Sequence, residues 1–499
     1  MRAPPDATLK DKLGNPPDRM TPLYTQPAPG SKNARPASRP ALLGPATAPR
    51  PAFYLTVIFV FVVYGRFPEI MDMLTGSAFH WARIIVGMAL LATLLFGGDV
   101  RAVFTRVGIC LIAFSLWMCV CVPFSIWRGG SVRMLLDFWV LSFFSFAIIA
   151  SSVQGLEQCR RIMYTLAAAT VFIEVFTLAM GRERGGRMSL LGGTLGNANY
   201  LALMLLMGVP FCLFVMRTKP GLSPLKVACL LMLLCIPVTV AATGSRGGLV
   251  TLAVMFLMYF VPLPASQKLV AGIVALILLV IAIALSTRSA LDRFRTIFTT
   301  SAPVRLSDSE LSAIESMQLR KDLLLSSLEL TLRHPLLGVG PGMFAVANAN
   351  YIEVTTGKAD FNAWHETHNT FTQVSCEDGL PGLLLYCLAL LFCFKIVRSV
   401  EKRARRDARL SSLQHMAFAL RLALIAFTGT AIFASNAYMY YFPMLAGLCV
   451  AVDRAAARFP VQLPAGSEPA TPQTARAPQF RGRIPAGNGP MAWKRPPFG

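Results

Sequence analysis

The chain has 499 residues and a formal net charge of +22, yet 55% of its residues are hydrophobic and only 14% are charged. Soluble domains carry about 25% charged residues, so this composition excludes an ordinary soluble globule. It also argues against a nucleic-acid surface, because the positive charge is distributed between long apolar segments.

Residues 1–51 hold 12 Pro and residues 460–499 hold 9. Pro-rich, basic, weakly hydrophobic ends of this kind predict disordered tails. The first apolar segment begins near Phe53 with no evident small-residue cleavage site, and it reads as an uncleaved membrane anchor. Taking about 20 residues as the spanning length, twelve apolar segments follow. They lie near 52–70, 80–97, 107–127, 134–152, 162–180, 198–216, 225–243, 248–264, 268–285, 379–397, 416–435 and 438–452. Arg66-Phe67-Pro68 interrupts the first and Pro443 the last, so the count is eleven or twelve. A segment in lipid must satisfy its own backbone hydrogen bonds, which makes these segments helices. The expected fold is an all-α, polytopic integral membrane protein, with spans in 52–285 and 379–459 and one large loop over 286–378. Of 11 Cys, only Cys376 falls in a long polar loop, which leaves no pair for an external disulfide.

Lys and Arg set the orientation. With a cytoplasmic N-terminus, the inner side receives 30 Lys and Arg against 9 acids, and the outer side 16 against 14. Both termini are therefore expected inside, and loop 286–378 faces outward, into the periplasm of a bacterium. Loops beyond about 15 residues rarely lack function or internal structure.

That loop reads first as an amphipathic helix. Ser307-Asp-Ser-Glu310 has capping-box spacing, and Leu311, Ile314, Leu319, Leu323 and Leu330 recur on one stripe up to Pro335. Such a helix lies on the membrane or on other helices. Gly338, Gly340 and Gly342 follow. Without a strand-then-helix unit they fit a closely packed turn better than a nucleotide loop.

Next comes Trp364-His-Glu-Thr-His-Asn369, with Gly379 suited to a helix C-cap and Pro381 to the first turn of the next span. A short helix near 366–378 would place His365 and His368 on one face. Their spacing differs by one residue from the metalloprotease pattern and no third ligand accompanies them, so no metal is expected. No Asp-x-Asp pair exists to hold a divalent ion on a diphosphate. His368 has two readings, an interfacial histidine or a general base that accepts a proton near neutral pH. Outward arginines run against the charge bias. Arg246, in Thr243-Gly-Ser-Arg-Gly-Gly248, either snorkels or pairs with phosphate oxygens. Arg182, Arg184 and Arg187 form a second cluster. The charges within spans, Asp137, Glu174 and Arg421, are expected to pair between helices, with Arg421 also placed to snorkel.

Four motifs together resemble the bacterial O-antigen ligase/polymerase family of membrane glycosyltransferases. They are Gly196-Asn-Ala-Asn-Tyr200, Thr243-Gly-Ser-Arg246-Gly, the His334-Pro block running through its three glycines to Met343-Phe344, and His368-Asn369 followed by nine residues and Gly379-x-x-Gly382. Leu383, where ligases tend to have Gly, Thr or Tyr, departs from the ligase signature. The resemblance implies a GT-C-like fold in the bacterial inner membrane. It implies a glycan donor on a polyprenyl diphosphate such as undecaprenyl diphosphate. The acceptor would be lipid A-core for a ligase, or a second lipid-linked glycan for an O-antigen or exopolysaccharide polymerase. It further implies metal-independent, inverting transfer with no cofactor. His368 would be the base, and Arg246, Arg187 and Arg184 would hold the diphosphate. Asn369, His365, Asn199, Gly340, Gly379 and Gly382 would support them.

A different class, a twelve-helix transporter or flippase of lipid-linked glycans, fits less well. Such carriers consist of repeated halves, sometimes with a long central linker. Here the loop after the sixth segment is short and no repeat is evident.

Overall fold

The computed structural model describes residues 51–76, 81–184, 186–190, 194–285, 308–356, 364–406 and 410–458. The two tails predicted to be disordered, and the Ser307 cap of the amphipathic helix, lie outside the described residues apart from Pro51 itself.

The helices run in chain order as α1 (Pro51–Tyr64), α2 (Phe67–Thr75), α3 (Trp81–Leu95), α4 (Arg106–Cys121), α5 (Arg128–Met134), α6 (Val140–Ser152) and α7 (Leu156–Met180). A hairpin of β1 (Arg182–Arg184) and β2 (Arg187–Ser189) follows. Then come α8 (Ala198–Thr218), α9 (Pro224–Ala242), α10 (Arg246–Phe260), α11 (Ala265–Leu285), α12 (Asp308–Arg333) and α13 (Phe344–Thr356). Finally come α14 (Thr370–Arg406), α15 (Ser411–Ala431) and α16 (Tyr441–Ala457).

Among the described residues, seven helical stretches are long and apolar enough to cross a membrane, or eight if the bent pair α1–α2 is one span. This is an all-α polytopic membrane protein. The four remaining segments that the sequence marks as spans coincide with α3, α10, α15 and α16. At about 1.5 Å per residue, the 15 residues of α3 and of α10 reach only about 22 Å, short of a hydrocarbon core of about 30 Å.

The interruption at Arg66 is a 60° bend between α1 and α2. Arg66 takes a left-handed φ of 53° there, and its buried guanidinium meets Glu69 and the Tyr441 hydroxyl, each at 2.5 Å. Charges within the bundle are also partnered. Arg83 pairs with Asp137 at 2.7 Å and Arg421 with Glu401 at 3.2 Å, while Glu174 accepts a hydrogen bond from Thr239 at 2.5 Å. A charge in hydrocarbon is costly without such a partner.

α8 is the most enclosed span, packed by α7, α9 and α15, whereas α11, apolar all round, turns nearly all of its surface outward. All eleven cysteines are unpaired. A second, smaller core lies beside the bundle. Leu323 and Leu330 of α12, with Leu319 at its edge, pack on Val339, Met343, Phe344, Ala347 and Cys376. From Leu319 to Leu330 the amphipathic helix thus packs its stripe on protein.

The glycine block is a closely packed turn. The Val339 and Gly340 amides donate to the carbonyls of Cys376 and Glu377 at 2.8 and 2.9 Å. A Cβ at Gly340 would lie 2.1 Å from Ser125 Oγ. The predicted short helix also needs correction, because helical structure begins at Thr370 and not near 366. Gly379 breaks α14 as predicted, with a φ of 73°, and its backbone approaches Leu336 so closely that a Cβ would stand 1.9 Å from the carbonyl oxygen.

Gly379→Ala should therefore destabilise the protein by at least about 1–2 kcal/mol from the left-handed backbone alone, with the clash added. Gly272→Ala in α11, where a Cβ meets nothing within 4 Å, should not destabilise and should add up to about 1 kcal/mol, because Ala is the better helix former. Thermal unfolding in detergent compares the two.

Candidate functional site

The 182–189 hairpin, the N-termini of α8 and α10, the middle of α12 and the segment before α14 meet at one end of the bundle. Each is set by local chemistry. In the hairpin, Arg184 pairs with Arg187 across the turn. Asn197 caps α8, its side chain accepting the Asn199 amide at 2.9 Å. Ser245 caps α10, accepting the Gly248 amide at 3.3 Å. The two glycines after Arg246 answer a packing demand, since a Cβ at Gly247 would lie 2.4 Å from the Phe433 ring and one at Gly248 3.1 Å from Ala202.

Between these elements is a cavity of about 460 Å³, lined by Arg187, Asn199, Ser316, Arg320 and His368 together with Ser189, Leu319 and the 196–198 backbone turn. Arg187 is anchored twice, through Nε to the Thr243 carbonyl and through Nη2 to Asn199 Oδ1, both at 2.8 Å. Arg246 does not line the cavity itself. Its Nη2 donates to Ser316 Oγ at 3.3 Å, which places the guanidinium behind the cavity wall. The cavity thus brings two guanidinium groups from separate elements together with one imidazole, and a third, Arg246, is bonded to the lining residue Ser316.

His368 is held in an uncommon backbone conformation, with φ 53°. For a non-glycine residue this costs about 1–3 kcal/mol and persists only where the surroundings enforce it. The expectation that His365 and His368 share a helical face is therefore incorrect. Asn369 caps α14, its Oδ1 accepting the amides of Phe371 at 2.9 Å and Thr372 at 3.1 Å, so both histidines precede the helix. Burial, the Arg320 guanidinium and then His365 push the His368 imidazole down from 6.5 to about 4. It is neutral at pH 7 and can accept a proton.

Of the residues singled out from sequence, His368, Arg187 and Asn199 line the cavity, and Arg246 stands beside it. His365 does not line the cavity and is the smallest of the three influences on the His368 imidazole. Asn369 shapes the backbone beside His368 without lining the cavity, whereas Gly340, Gly379 and Gly382 pack against Ser125, Leu336 and Asp378, none of which lines it. The Arg184 side chain lies outside the described residues. Sequence reasoning missed Arg320 and Ser316. They stand four residues apart on α12, on the flank of its apolar stripe, where a basic residue has no distinguishing signal. Among the described residues no three His, Cys, Asp or Glu side chains converge to hold a metal ion.

Fold and site together define a polytopic membrane protein with a cationic, histidine-bearing cavity at one end of its bundle. Residues 227–387 match the family model described as O-antigen ligase. The match covers about a third of the chain and agrees with the resemblance that its motifs carry. It takes in Arg246, Ser316, Arg320 and His368, while Arg187 and Asn199 precede it. A search of curated proteins finds no match.

Removing the Arg320 charge should raise the His368 pKa. In Arg320→Gln, a histidine NMR titration should place it closer to the ordinary 6.5 than in wild type measured alongside, because an imidazolium there would face one positive charge fewer. An unchanged or lower value would remove Arg320 as a neighbour of the imidazole.

Proposed function

We propose that this protein is a membrane glycosyltransferase that transfers or polymerises a glycan carried on a polyprenyl diphosphate. The observation that carries the reading is the cavity, where guanidinium groups from the hairpin and α12 flank a neutral imidazole, with Arg246 behind the wall. A departing diphosphate needs fixed positive charge, and an acceptor hydroxyl needs a base. The acceptor oxygen bonds to the anomeric carbon, the bond from that carbon to the diphosphate oxygen breaks with inversion, and His368 takes the hydroxyl proton. Arg187 and Arg320 receive the leaving diphosphate, with Arg246 and the expected Arg184 behind them. The guanidinium groups supply charge that other glycosyltransferases draw from a metal ion, so the reaction is metal-independent and needs no cofactor.

Burial first, and then the Arg320 guanidinium, hold the imidazole far below 6.5, which makes it a weak base. A bound diphosphate offsets that charge and returns the imidazole toward a value better matched to proton transfer near neutral pH. A bound donor diphosphate thereby makes His368 a better base for the acceptor hydroxyl.

The topology we propose places both termini in the cytoplasm, twelve spans in a GT-C-like arrangement in the inner membrane, and the cavity at the periplasmic face. The Lys and Arg bias supports it, and α12 with the start of α14 covers the cavity as a lid. The acceptor is lipid A-core for a ligase and a second lipid-linked glycan for a polymerase.

Transfer from a polyprenyl-diphosphate-linked glycan in proteoliposomes tests the roles. His368→Ala should lower kcat at least about 100-fold with insertion intact, and near-wild-type turnover would remove His368 as base. Arg246→Lys should also be severely impaired, because an ammonium is not a planar fork. Full activity there would end its part in holding the diphosphate.

A further inference from the structure

The loop between α15 and α16, residues 432–440, contributes nothing to the cavity lining, yet it grips the segment carrying His368 along its length. The His368 amide donates to Ser435 Oγ at 2.9 Å, and the Thr367 and Ser435 hydroxyls lie 3.0 Å apart. Thr370 Oγ1 donates to the Ala434 carbonyl at 2.7 Å and accepts the Asn436 amide at 3.0 Å. Gln373 Oε1 accepts the Ala437 amide at 3.3 Å. From the other side, the Tyr200 hydroxyl lies 3.2 Å from the Ser435 carbonyl and 2.8 Å from Glu366 Oε2. Thr367, Thr370 and Ser435 are all buried, so water does not readily replace these partners.

We infer that Ser435 is a positioning residue, whose hydroxyl holds the His368 backbone in its left-handed conformation and so aims the imidazole into the cavity. A left-handed residue persists only where its surroundings over-determine it, and the Ser435 hydroxyl is the group bonded to the His368 amide itself. If φ relaxes to a negative value, the Cα–Cβ direction swings relative to the segment and the imidazole leaves its place opposite Arg187 and Arg320. The remaining contacts fasten the loop to Thr370 and Gln373 on the first turn of α14, leaving the one-residue correction at His368 to Ser435. Arg187 and Arg320 lie on other elements, so donor binding does not depend on Ser435.

This inference rests on the reading of His368 as base, and the experiment separates the two. Ser435→Ala, Ser435→Thr and His368→Ala are compared with wild type in proteoliposomes containing a polyprenyl-diphosphate-linked glycan. Ser435→Ala should lower kcat roughly 10- to 100-fold, the cost of a small misplacement of a catalytic group, while the donor KM stays within about twofold. Ser435→Thr keeps the acceptor oxygen and should recover most of the loss. If Ser435→Ala does not yield a monodisperse protein, Ser435→Cys fills the same space with a weak acceptor and should give the same split. A kcat within about twofold of wild type, or an effect confined to KM, overturns the inference while leaving the base reading intact if His368→Ala is inactive. An active His368→Ala overturns both.

Discussion

Arg187 reaches from the 182–189 hairpin to the Thr243 carbonyl and to Asn199, both at 2.8 Å, and the cavity depends on that reach. One guanidinium ties the hairpin after α7 to the first turn of α8 and to the turn between α9 and α10. The turn it grips is the one that presents Arg246. Guanidinium suits this role because its donors form a rigid fork, so two can bind protein while another edge is presented elsewhere. Arginines that would otherwise repel are thereby fixed at one end of the bundle on separate, well-packed elements.

Around this anchor the sequence uses small residues for close approach and polar caps for direction. Gly247 and Gly248 let α10 press against Phe433 and Ala202, which brings Arg246 to Ser316. Gly379 lets the chain pass against Leu336 and fixes where the short first part of α14 ends. Asn369 fixes where it begins. His368 is placed by these constraints just outside a helix. That leaves its main-chain amide for Ser435 and its side chain for the cavity.

Much of this was legible in the sequence. Hydropathy gave the all-α membrane class, the Arg66-Phe67-Pro68 break and the end of the helix at Gly379, because these depend on local chemistry. The cavity residues Arg187, Asn199 and His368, with Arg246 beside it, were marked by motif and by their departure from the charge bias. Arg320 was not legible, since its meaning lies in which side of α12 faces the hairpin, a tertiary fact. Ser435 was hidden for the same reason, 67 residues from the histidine it touches. The shared helical face that the spacing of His365 and His368 predicts does not form, because Asn369 caps the helix and leaves both histidines before it. Strict length arithmetic also reaches fewer spans than hydropathy segments do, because a 15-residue helix such as α10 is apolar enough but short.

The proposed place for a lipid diphosphate and its base is one cavity. The most direct test of that placement is an electron cryomicroscopy structure of the full chain in nanodiscs with undecaprenyl diphosphate added. Phosphate density is expected within hydrogen-bond distance of the Arg187 and Arg320 guanidinium groups, on the His368 side of the cavity. Diphosphate bound elsewhere on the protein, with this cavity left unfilled, would contradict it.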